Sequence, residues 1–448
     1  MDQPDHGARL QARIVPLLCF TVFFSVLNGT MFNVAVPDIA DEFVLSPGKV
    51  SWVLTAYIVV FAVAAVTYGK LADLYPVRDL ITIGLLLFNA GAILGYFSAW
   101  YPLLVVARVV QASGGGAIPA MAMLVATHYF PPESRGRVLG ALASTVAFAA
   151  GVGPVVGGFL AGQLHWRFLF LLSIATLVAI PLFRRLLPRP EKSGRLFDLR
   201  GALLLAGTVG LLLMFVAQRE LWALPAGAVA LAAFVGHIRR AADPFVPPDL
   251  FASRYYRGGL LTVFLAVGTV FGLFFLMPML LRQVHQLETW RIGLVIFPGA
   301  VSAAILGHLG GRLADRLGGP VMVRGGLLLL LAGFFLLAAF AAARVEVLVA
   351  ILVVSYVGFA FIQASLAKTI SLTLSHRHLG VGMGFYNLVF FTSGAFGAAI
   401  AGQLLELIPQ LFPEVSPVAP FRLVFLVAAI TVAASLLWFR AVFSSPPP

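Results

Sequence analysis

One positively charged side chain stands deep inside an apolar stretch of the sequence. Arg108 lies within the run 101–127, which is otherwise dominated by small and aliphatic residues. Because an unpaired guanidinium costs several kcal/mol in an apolar medium, it needs partners, such as Gln111 one turn further on, Asn28, Asn33, backbone carbonyls or water. Alternatively, it binds an anionic substrate or a headgroup. A helix-packing role and a functional role are equally open.

Uncharged polar side chains also stand inside apolar runs. A central cavity lined by Phe, Leu and Met and by a few such hydrogen-bonding groups would suit a large amphipathic molecule. For each residue singly, a hydrogen bond between helices is the more ordinary explanation. The candidate substrate contacts are Asn28, Asn33, Tyr57, Arg108, Gln111, Gln363, Tyr386 and Asn387.

Carboxylates, in contrast, avoid the apolar runs. All 18 Asp and Glu residues fall in tails, in loops or within about one turn of a predicted helix end, although a carboxylate at depth is the usual mark of proton or cation handling. Asp38 and His308 remain as titratable candidates for proton coupling. Histidine titrates near neutral pH, but a lone histidine in an apolar run is more often packed and hydrogen-bonded.

Residue patterns typical of enzymes are missing. The sequence has no Gly-rich phosphate loop ending in Lys-Ser or Lys-Thr, no His or Cys cluster with metal-ligand spacing and no convincing nucleophile elbow. The glycines at 114–116 lie inside an apolar run and are interpreted as packing residues. We therefore predict neither catalysis nor a bound cofactor or metal.

The composition indicates what kind of element must position these residues. Of 448 residues, 60% are apolar and only 11% are charged, and the mean hydropathy is +0.99. A soluble domain carries roughly a quarter of its residues as charged side chains, so the lipid bilayer is the predicted surrounding. The net charge of +12 is concentrated between apolar runs, a pattern that orients membrane helices and argues against nucleic acid.

The apolar runs are long enough to cross a membrane. A hydrocarbon core about 30 Å thick needs about 20 apolar residues per helix, and continuous runs of this length favour helices over the short alternating strands of a barrel. The sequence predicts fourteen spans, at 13–36, 50–70, 80–98, 101–127, 137–162, 166–187, 199–217, 221–238, 258–281, 292–313, 321–342, 346–372, 380–405 and 419–441.

The loops differ in charge between the two sides. With fourteen spans both termini lie on one side, and the loops of that side hold about 22 of the 30 Lys and Arg, against about six on the other. The positive-inside rule therefore predicts that both termini are cytoplasmic.

Two loops on that predicted cytoplasmic side resemble each other. Gly69-Lys70-Leu71-Ala72-Asp73 in the first half matches Gly311-Arg312-Leu313-Ala314-Asp315 in the second, which suggests an internal duplication. A glycine allows two helices to approach closely, and an aspartate near a helix N-terminus interacts with its dipole. Gly69, Asp73, Gly311, Arg312 and Asp315, with Arg78 as the local partner of Asp73, are the predicted gate.

These motifs resemble the major facilitator superfamily. Its loop between helices two and three carries a Gly-x-Leu-Ala-Asp pattern, which is found here between Gly69 and Arg78, and its helix four carries Arg108-Val-Val-Gln111. In that superfamily, the pattern in span five marks antiporters that act as exporters. It consists here of Gly151, Gly153, Pro154, Gly157 and Gly158. A tight helix crossing is the purely structural alternative.

Further stretches narrow the resemblance. Asn33-Val-Ala-Val-Pro-Asp38, Phe197-Asp-Leu-Arg-Gly201 and Asp243-Pro-Phe-Val246 look like the fourteen-helix tetracycline and multidrug exporters of Gram-positive bacteria, a drug:proton antiporter branch. The resemblance implies an all-α fold of two six-helix bundles with two inserted helices. The first bundle would comprise residues 1–190, the inserted helices 191–242 and the second bundle 243–448. The implied location is a bacterial plasma membrane.

The sequence departs from this branch where coupling is concerned. Exporters of the branch carry acidic residues inside helices one, five and thirteen, and the matching positions here are Gly29, Ala150 and Gly394. The leading hypothesis is a transporter that exports an amphipathic drug or lipid-like compound by alternating access, as a proton antiporter. The alternatives are an uncoupled facilitator or lipid-moving protein, and a non-transporting receptor or assembly partner whose centre would be filled.

Overall fold

All regular structure in the described part of the chain is helical. The computed structural model describes residues 3–72, 75–130, 132–187, 198–241, 244, 246–374, 379–412 and 414–443. The first bundle contains α1 (Gln3–Phe43), α2 (Pro47–Val50), α3 (Trp52–Leu71), α4 (Val77–Tyr96), α5 (Tyr101–Gly115), α6 (Ala117–His128), α7 (Pro132–Gln163), α8 (Phe168–Leu171), a 3-10 segment (Leu172–Val178) and α9 (Ala179–Leu186).

A helix pair separates this bundle from the second one. The pair is α10 (Leu199–Gln218) and α11 (Ala223–Ile238), and a 3-10 turn (Pro248–Ala252) leads into the second bundle. The second bundle contains α12 (Arg254–Gln283), α13 (Thr289–Leu317), α14 (Gly319–Phe340), α15 (Val345–Ser371), α16 (Leu379–Leu411) and α17 (Ala419–Val442).

The helices agree with the predicted spans. Eleven stretches of the described chain are long and apolar enough to cross a membrane, and three shorter apolar helices, Phe148–Gln163, Arg200–Val216 and Ala223–Ile238, account for the remaining predicted spans. The predicted all-α membrane fold is therefore confirmed. Both predicted domain boundaries fall on residues outside the described ranges, and the division stays a prediction.

The first helix is longer than its apolar run. The sequence ends span one at residue 36, whereas α1 continues through Pro37 to Phe43. Pro37 removes the hydrogen bond to the carbonyl four residues earlier and crowds that carbonyl, but polar partners hold the extension in place. Arg282 contacts Asp38 at 2.9 Å and Arg167 contacts Glu42 at 2.7 Å.

The two bundles meet along several helix pairs. Helix α7 packs on α13, α3 on α16, and α1 on α12, while α10 lies against both α3 and α16. The helices alternate in direction, so the helix ends near residues 3 and 443 share one face, which we call the terminal face. The other face, which carries the ends of α1 and α12, is the opposite face.

The hydrophobic core is divided unequally between these faces. Near the opposite face, buried residues of both bundles form one continuous cluster. Near the terminal face, the described buried residues of the first bundle form a separate cluster that contains no residue of the second. Among the residues whose side chains the structure describes, the bundles thus share a core toward the opposite face, and the first bundle has a core of its own toward the terminal face.

Candidate functional site

Arg108 is held by uncharged groups at the centre of the first bundle. Its side chain is completely buried, and its Nη1 donates to Asn28 Oδ1 and to Gln111 Oε1, both at 2.8 Å. Its Nε donates to the carbonyl of Val53 at 3.2 Å. Asn28 and Gln111 are thus confirmed as its partners, whereas Asn33 is half-buried and stands outside this network.

Two aromatic rings cover the guanidinium. Its carbon lies 4.2 Å from the centre of the Phe32 ring and 3.8 Å from that of Tyr57, a geometry that favours a cation. The Nη2 of Arg108 and the hydroxyl of Tyr57 are both buried without a hydrogen-bond partner. Buried polar atoms are rarely left in this state, so both atoms are available for a hydrogen bond to a further group.

A second layer of hydrogen bonds fixes the amides that hold Arg108. Asn28 Nδ2 donates to Ser173 Oγ at 3.0 Å, and Gln111 Nε2 donates to the same oxygen at 3.2 Å. Asn89 donates to Thr176 Oγ1 at 2.9 Å. This layer was not predicted from the sequence. Asn89 was detectable as a polar residue within the predicted span 80–98.

Aromatic rings extend from Tyr57 toward the second bundle. The Tyr57 and Phe61 rings lie 5.8 Å apart, and Phe61 reaches Phe391 across the bundle interface at 5.3 Å. Ring contacts in the second bundle continue this array. They join Phe271, Phe274, Tyr356, Phe359, Tyr386, Phe390 and Phe391. Phe-rich lining was expected, but of these residues only Tyr386 was identified individually from the sequence.

The predicted polar contacts of the second bundle adjoin this array. Tyr386 is buried with its ring 6.4 Å from Phe390, whereas Gln363 and Asn387 are exposed. Asn387 stands one turn before Phe391, and Gln363 one turn after Phe359, so each shares a helix face with an aromatic residue of the array. In the second bundle, Asn387 and Gln363 therefore stand beside the array, whereas Arg108 lies beneath the Tyr57 ring at its other end.

The glycine pattern of α7 makes this helix a wedge between two others. A methyl group at Gly153 or Gly157 would collide with Thr30 or with the Met31 backbone of α1. A methyl group at Gly158 would lie 3.2 Å from the Gly293 Cα of α13. The remaining contacts join Gly151 to Ala300 and the Pro154 carbonyl to Gly293. The tight crossing predicted from the glycine spacing is present on both sides of the helix.

Asp38 connects the bundles at the opposite face. Its carboxylate accepts from Arg282 at 2.9 Å and from the Thr289 hydroxyl at 2.7 and 2.8 Å. Arg282 also lies 3.6 Å from the more exposed Asp41. We call Asp38, Arg282 and Thr289 the opposite-face latch. Gly48 adds a further contact between bundles, because its N–H donates to Glu406 at 3.2 Å.

The predicted gate at the terminal face is only partly visible. Asp73 lies outside the described residues, and Gly69 has open space around it. Arg78 donates to the carbonyl of Arg184 at 3.2 Å and lies 3.8 Å from Asp79. Gly311, Arg312, Asp315 and also His308 belong to α13, but their side chains lie outside the description. The gate stays a prediction.

The positions that are acidic in the resembled branch differ in the space they offer. Around Gly29 a methyl group would meet only Tyr57 Cε1, at an ordinary 3.8 Å, and Ala150 is half-buried. At Gly394 a methyl group would lie 2.7 Å from the Phe271 ring. The ring therefore occupies the place where a carboxylate would stand in α16, whereas space for one remains at Gly29.

Comparison with known proteins decides the family. A family model described as Major Facilitator Superfamily matches residues 18–398 and 309–448. The chain belongs to the major facilitator superfamily. It is a multi-pass membrane transporter and not an enzyme. As a superfamily member it faces the lipid bilayer and handles a small molecule.

Curated relatives agree with the drug-exporter resemblance. The riboflavin transporter RibZ of Clostridioides difficile is 27% identical over 311 residues, which are 68% of each chain. The puromycin resistance protein pur8 of Streptomyces alboniger is 30% identical over 70% of this chain and 64% of its own length. The multidrug resistance protein Stp of Mycobacterium tuberculosis is 29% identical over 70% of this chain and 61% of its own length. The matches thus cover 61% to 68% of these relatives' lengths.

A solved structure shares the fold over the whole chain. A bacterial homolog of the human lysosomal transporter Spinster, in an inward-facing and unoccupied conformation, matches with a TM-score of 0.69 and 14% identity. The match covers 99% of this chain and 98% of that one. This likeness confirms the fold of the superfamily.

Proposed function

We propose that this transporter exports an amphipathic compound, drug-like or lipid-like, across a bacterial plasma membrane by alternating access. The terminal face would be cytoplasmic, and the substrate would enter the aromatic region from there. The observation that carries the proposal is the asymmetry of the described core, in which the first bundle shares a cluster with the second toward the opposite face but has a cluster of its own toward the terminal face. Relatives named for riboflavin and puromycin support a drug-sized substrate.

Transport would require the opposite-face latch to open. Arg282 and Thr289 of the second bundle hold Asp38 of the first, so separating the bundles there breaks charge-assisted hydrogen bonds. The α7 wedge would provide the surface along which α13 of the second bundle rocks, because glycines allow close backbone contact without interlocking side chains.

Proton antiport would act through the same latch. Protonation of Asp38 removes the negative charge that Arg282 contacts, and the Asp38 side chain is 18% exposed, so water can reach it. Near the latch, Asp41 lies beside Arg282, and Glu42 contacts Arg167 and His165. This face also carries Lys49, Glu288, Arg291 and Glu406. Protons arriving from the opposite face would weaken the latch and open that face for release.

Inverted membrane vesicles test this function. An acidic interior should drive accumulation of carboxyfluorescein or rhodamine 6G, which are amphipathic dyes of opposite charge, and a protonophore should abolish it. Vesicles without the protein provide the background. Absence of accumulation of both dyes would count against export of amphipathic compounds.

Uncoupled movement is the second candidate, because the first bundle has Gly29 and Ala150 and the second has Gly394 where the resembled antiporters carry carboxylates. On that account the dyes equilibrate across proteoliposomes without a gradient, and a protonophore leaves their rate unchanged. Dye accumulation against its own gradient would exclude it.

A further inference from the structure

The charge of Arg108 lacks a counter-ion in the described part of the chain. Its three hydrogen bonds go to neutral oxygens of Asn28, Gln111 and Val53. Among the described residues, no carboxylate forms an ion pair with it. The Nη2 group is left with donors and no acceptor. The two N–H groups of Nη2 are therefore the donors that remain, and a charge-assisted hydrogen bond from them to a carboxylate or phosphate oxygen is the strong form of such a contact.

Tyr57 is the side chain that would turn to give an anion access to Nη2, exchanging its ring contact with the guanidinium for an ion pair. Its ring lies against the guanidinium at 3.8 Å, and its hydroxyl has no hydrogen-bond partner to lose when the ring turns. A hydroxyl without a partner is also a free donor for an anion. Gly29 adjoins the same ring, because a methyl group there would lie 3.8 Å from Tyr57 Cε1, and Gly29 itself is only partly buried.

Apolar surface continues from this point. The Tyr57, Phe61 and Phe391 rings form a continuous array that crosses from the first bundle to the second. A ligand whose anionic head reaches Arg108 would therefore place its apolar body on these rings. A cationic head would meet a fixed positive charge there instead, which disfavours it.

We propose that Arg108 and Tyr57 bind the anionic headgroup of the transported compound, so that the site takes an amphipathic carboxylate or phosphate rather than an amine. This inference rests on the proposed export of amphipathic compounds and adds the sign of the substrate charge. Gly29 is the position where the selectivity is set, because a carboxylate introduced there stands beside the Tyr57 ring that covers Arg108.

Three probes with one ring system and different heads test the charge. 1-Pyrenebutyrate, 1-pyrenebutanol and 1-pyrenebutylammonium are titrated by fluorescence anisotropy onto the full chain in nanodiscs, with empty nanodiscs subtracted. The intact protein should bind the anion about tenfold more tightly than the alcohol, as expected for one charge-assisted pair. Arg108→Gln should remove this preference and leave binding of the alcohol.

Gly29→Asp is the variant that does not depend on losing Arg108. It should abolish the preference for pyrenebutyrate and favour pyrenebutylammonium, whereas Gly29→Asn, of similar size and without charge, should keep the order of the probes. Equal binding of anion and alcohol to the intact protein, or an anion preference that survives Arg108→Gln, would overturn the headgroup site alone. Failure of all three probes to bind would count against the aromatic region and so against the proposed function itself.

Competition distinguishes the two sources of such an anion. If lysophosphatidate displaces bound pyrenebutyrate and lysophosphatidylcholine does not, the site accepts an anionic lipid headgroup. If only soluble aromatic carboxylates displace it, the substrate is a free amphipathic acid. Displacement by neither of these anions, with lysophosphatidylcholine equally inactive, would contradict an anion-selective site.

Discussion

Asn28 connects the buried charge to the rest of the first bundle. Its Oδ1 accepts from Arg108, and its Nδ2 donates to Ser173 in the 3-10 segment between α8 and α9. Removal of one partner leaves the other groups buried and unsatisfied, which costs more than the bond itself contributes. Asn28 therefore fixes the position of Arg108 relative to span six.

Replacing this amide should destabilise the protein measurably. We expect Asn28→Leu to lower the free energy of unfolding by about 2 kcal/mol, since Arg108 loses an acceptor and Ser173 a donor. Asn33→Leu is the matched control on the same helix, outside the network, and should have a smaller effect. Thermal unfolding of the purified variants in detergent provides the measurement, and equal effects would show that the network does not carry the difference.

Part of this network was predictable from single residues. Arg108, Asn28 and Gln111 are conspicuous because polar side chains are rare in apolar runs. Asn33 was a less suitable partner, since five residues rotate a side chain by about 140° around a helix. Ser173 gave no comparable signal, because serine commonly bonds to its own helix in membrane spans, and only the tertiary structure brings it to Asn28.

At the scale of elements, α7 shows what glycine spacing can and cannot reveal. The pattern from Gly151 to Gly158 predicted a close crossing. It did not reveal that Gly157 faces α1 while Gly158 faces α13, because the identity of neighbouring helices depends on contacts far apart in sequence. The same limit applied to α1, whose apolar run ends before its helix does.

A methyl group in the α7 crossing should be costly. We expect Gly157→Ala to destabilise the protein by about 1–3 kcal/mol, because the added carbon collides with the Met31 backbone and forces the two helices apart. Gly210→Ala in α10 meets no atom within 4 Å and should leave stability unchanged or slightly higher. Unfolding midpoints compare the two variants, and a tolerated Gly157→Ala would argue against a tight wedge.

In the whole molecule, the spans can be counted by comparing the apolar runs with the bilayer thickness, but the way in which the helices assemble cannot be predicted from their lengths. Asp38 and Arg282 are 244 residues apart and form an ion pair at 2.9 Å. Hydropathy alone could not predict this pair, nor which face of the bundles is closed. The sequence did single out Asp38 as titratable, but its proposed role comes from its partners on α12 and α13.

Neutralising this carboxylate should affect coupling. We expect Asp38→Asn to make dye transport in vesicles insensitive to the pH gradient, because protonation can no longer change the charge of the latch. Asp41→Asn is the matched control. Asp41 is 70% exposed and lies 3.6 Å from Arg282, farther than the 2.9 Å of Asp38, so this variant should retain gradient dependence. If Asp38→Asn accumulates dye with the normal dependence on the gradient, protons do not act at Asp38.

The most direct test of alternating access is the distance between the bundles at the opposite face. In a Cys19→Ser background, pulsed electron paramagnetic resonance measures distances between pairs of spin labels. Labels at Leu164→Cys and Gln410→Cys measure the distance across the bundles, and labels at Leu164→Cys and Lys49→Cys measure a distance within the first bundle. We expect Asp38→Asn to add a longer component to the distance distribution of the first pair and to leave the distribution of the second pair unchanged. Identical distributions with and without the substitution, and at every pH, would contradict the account.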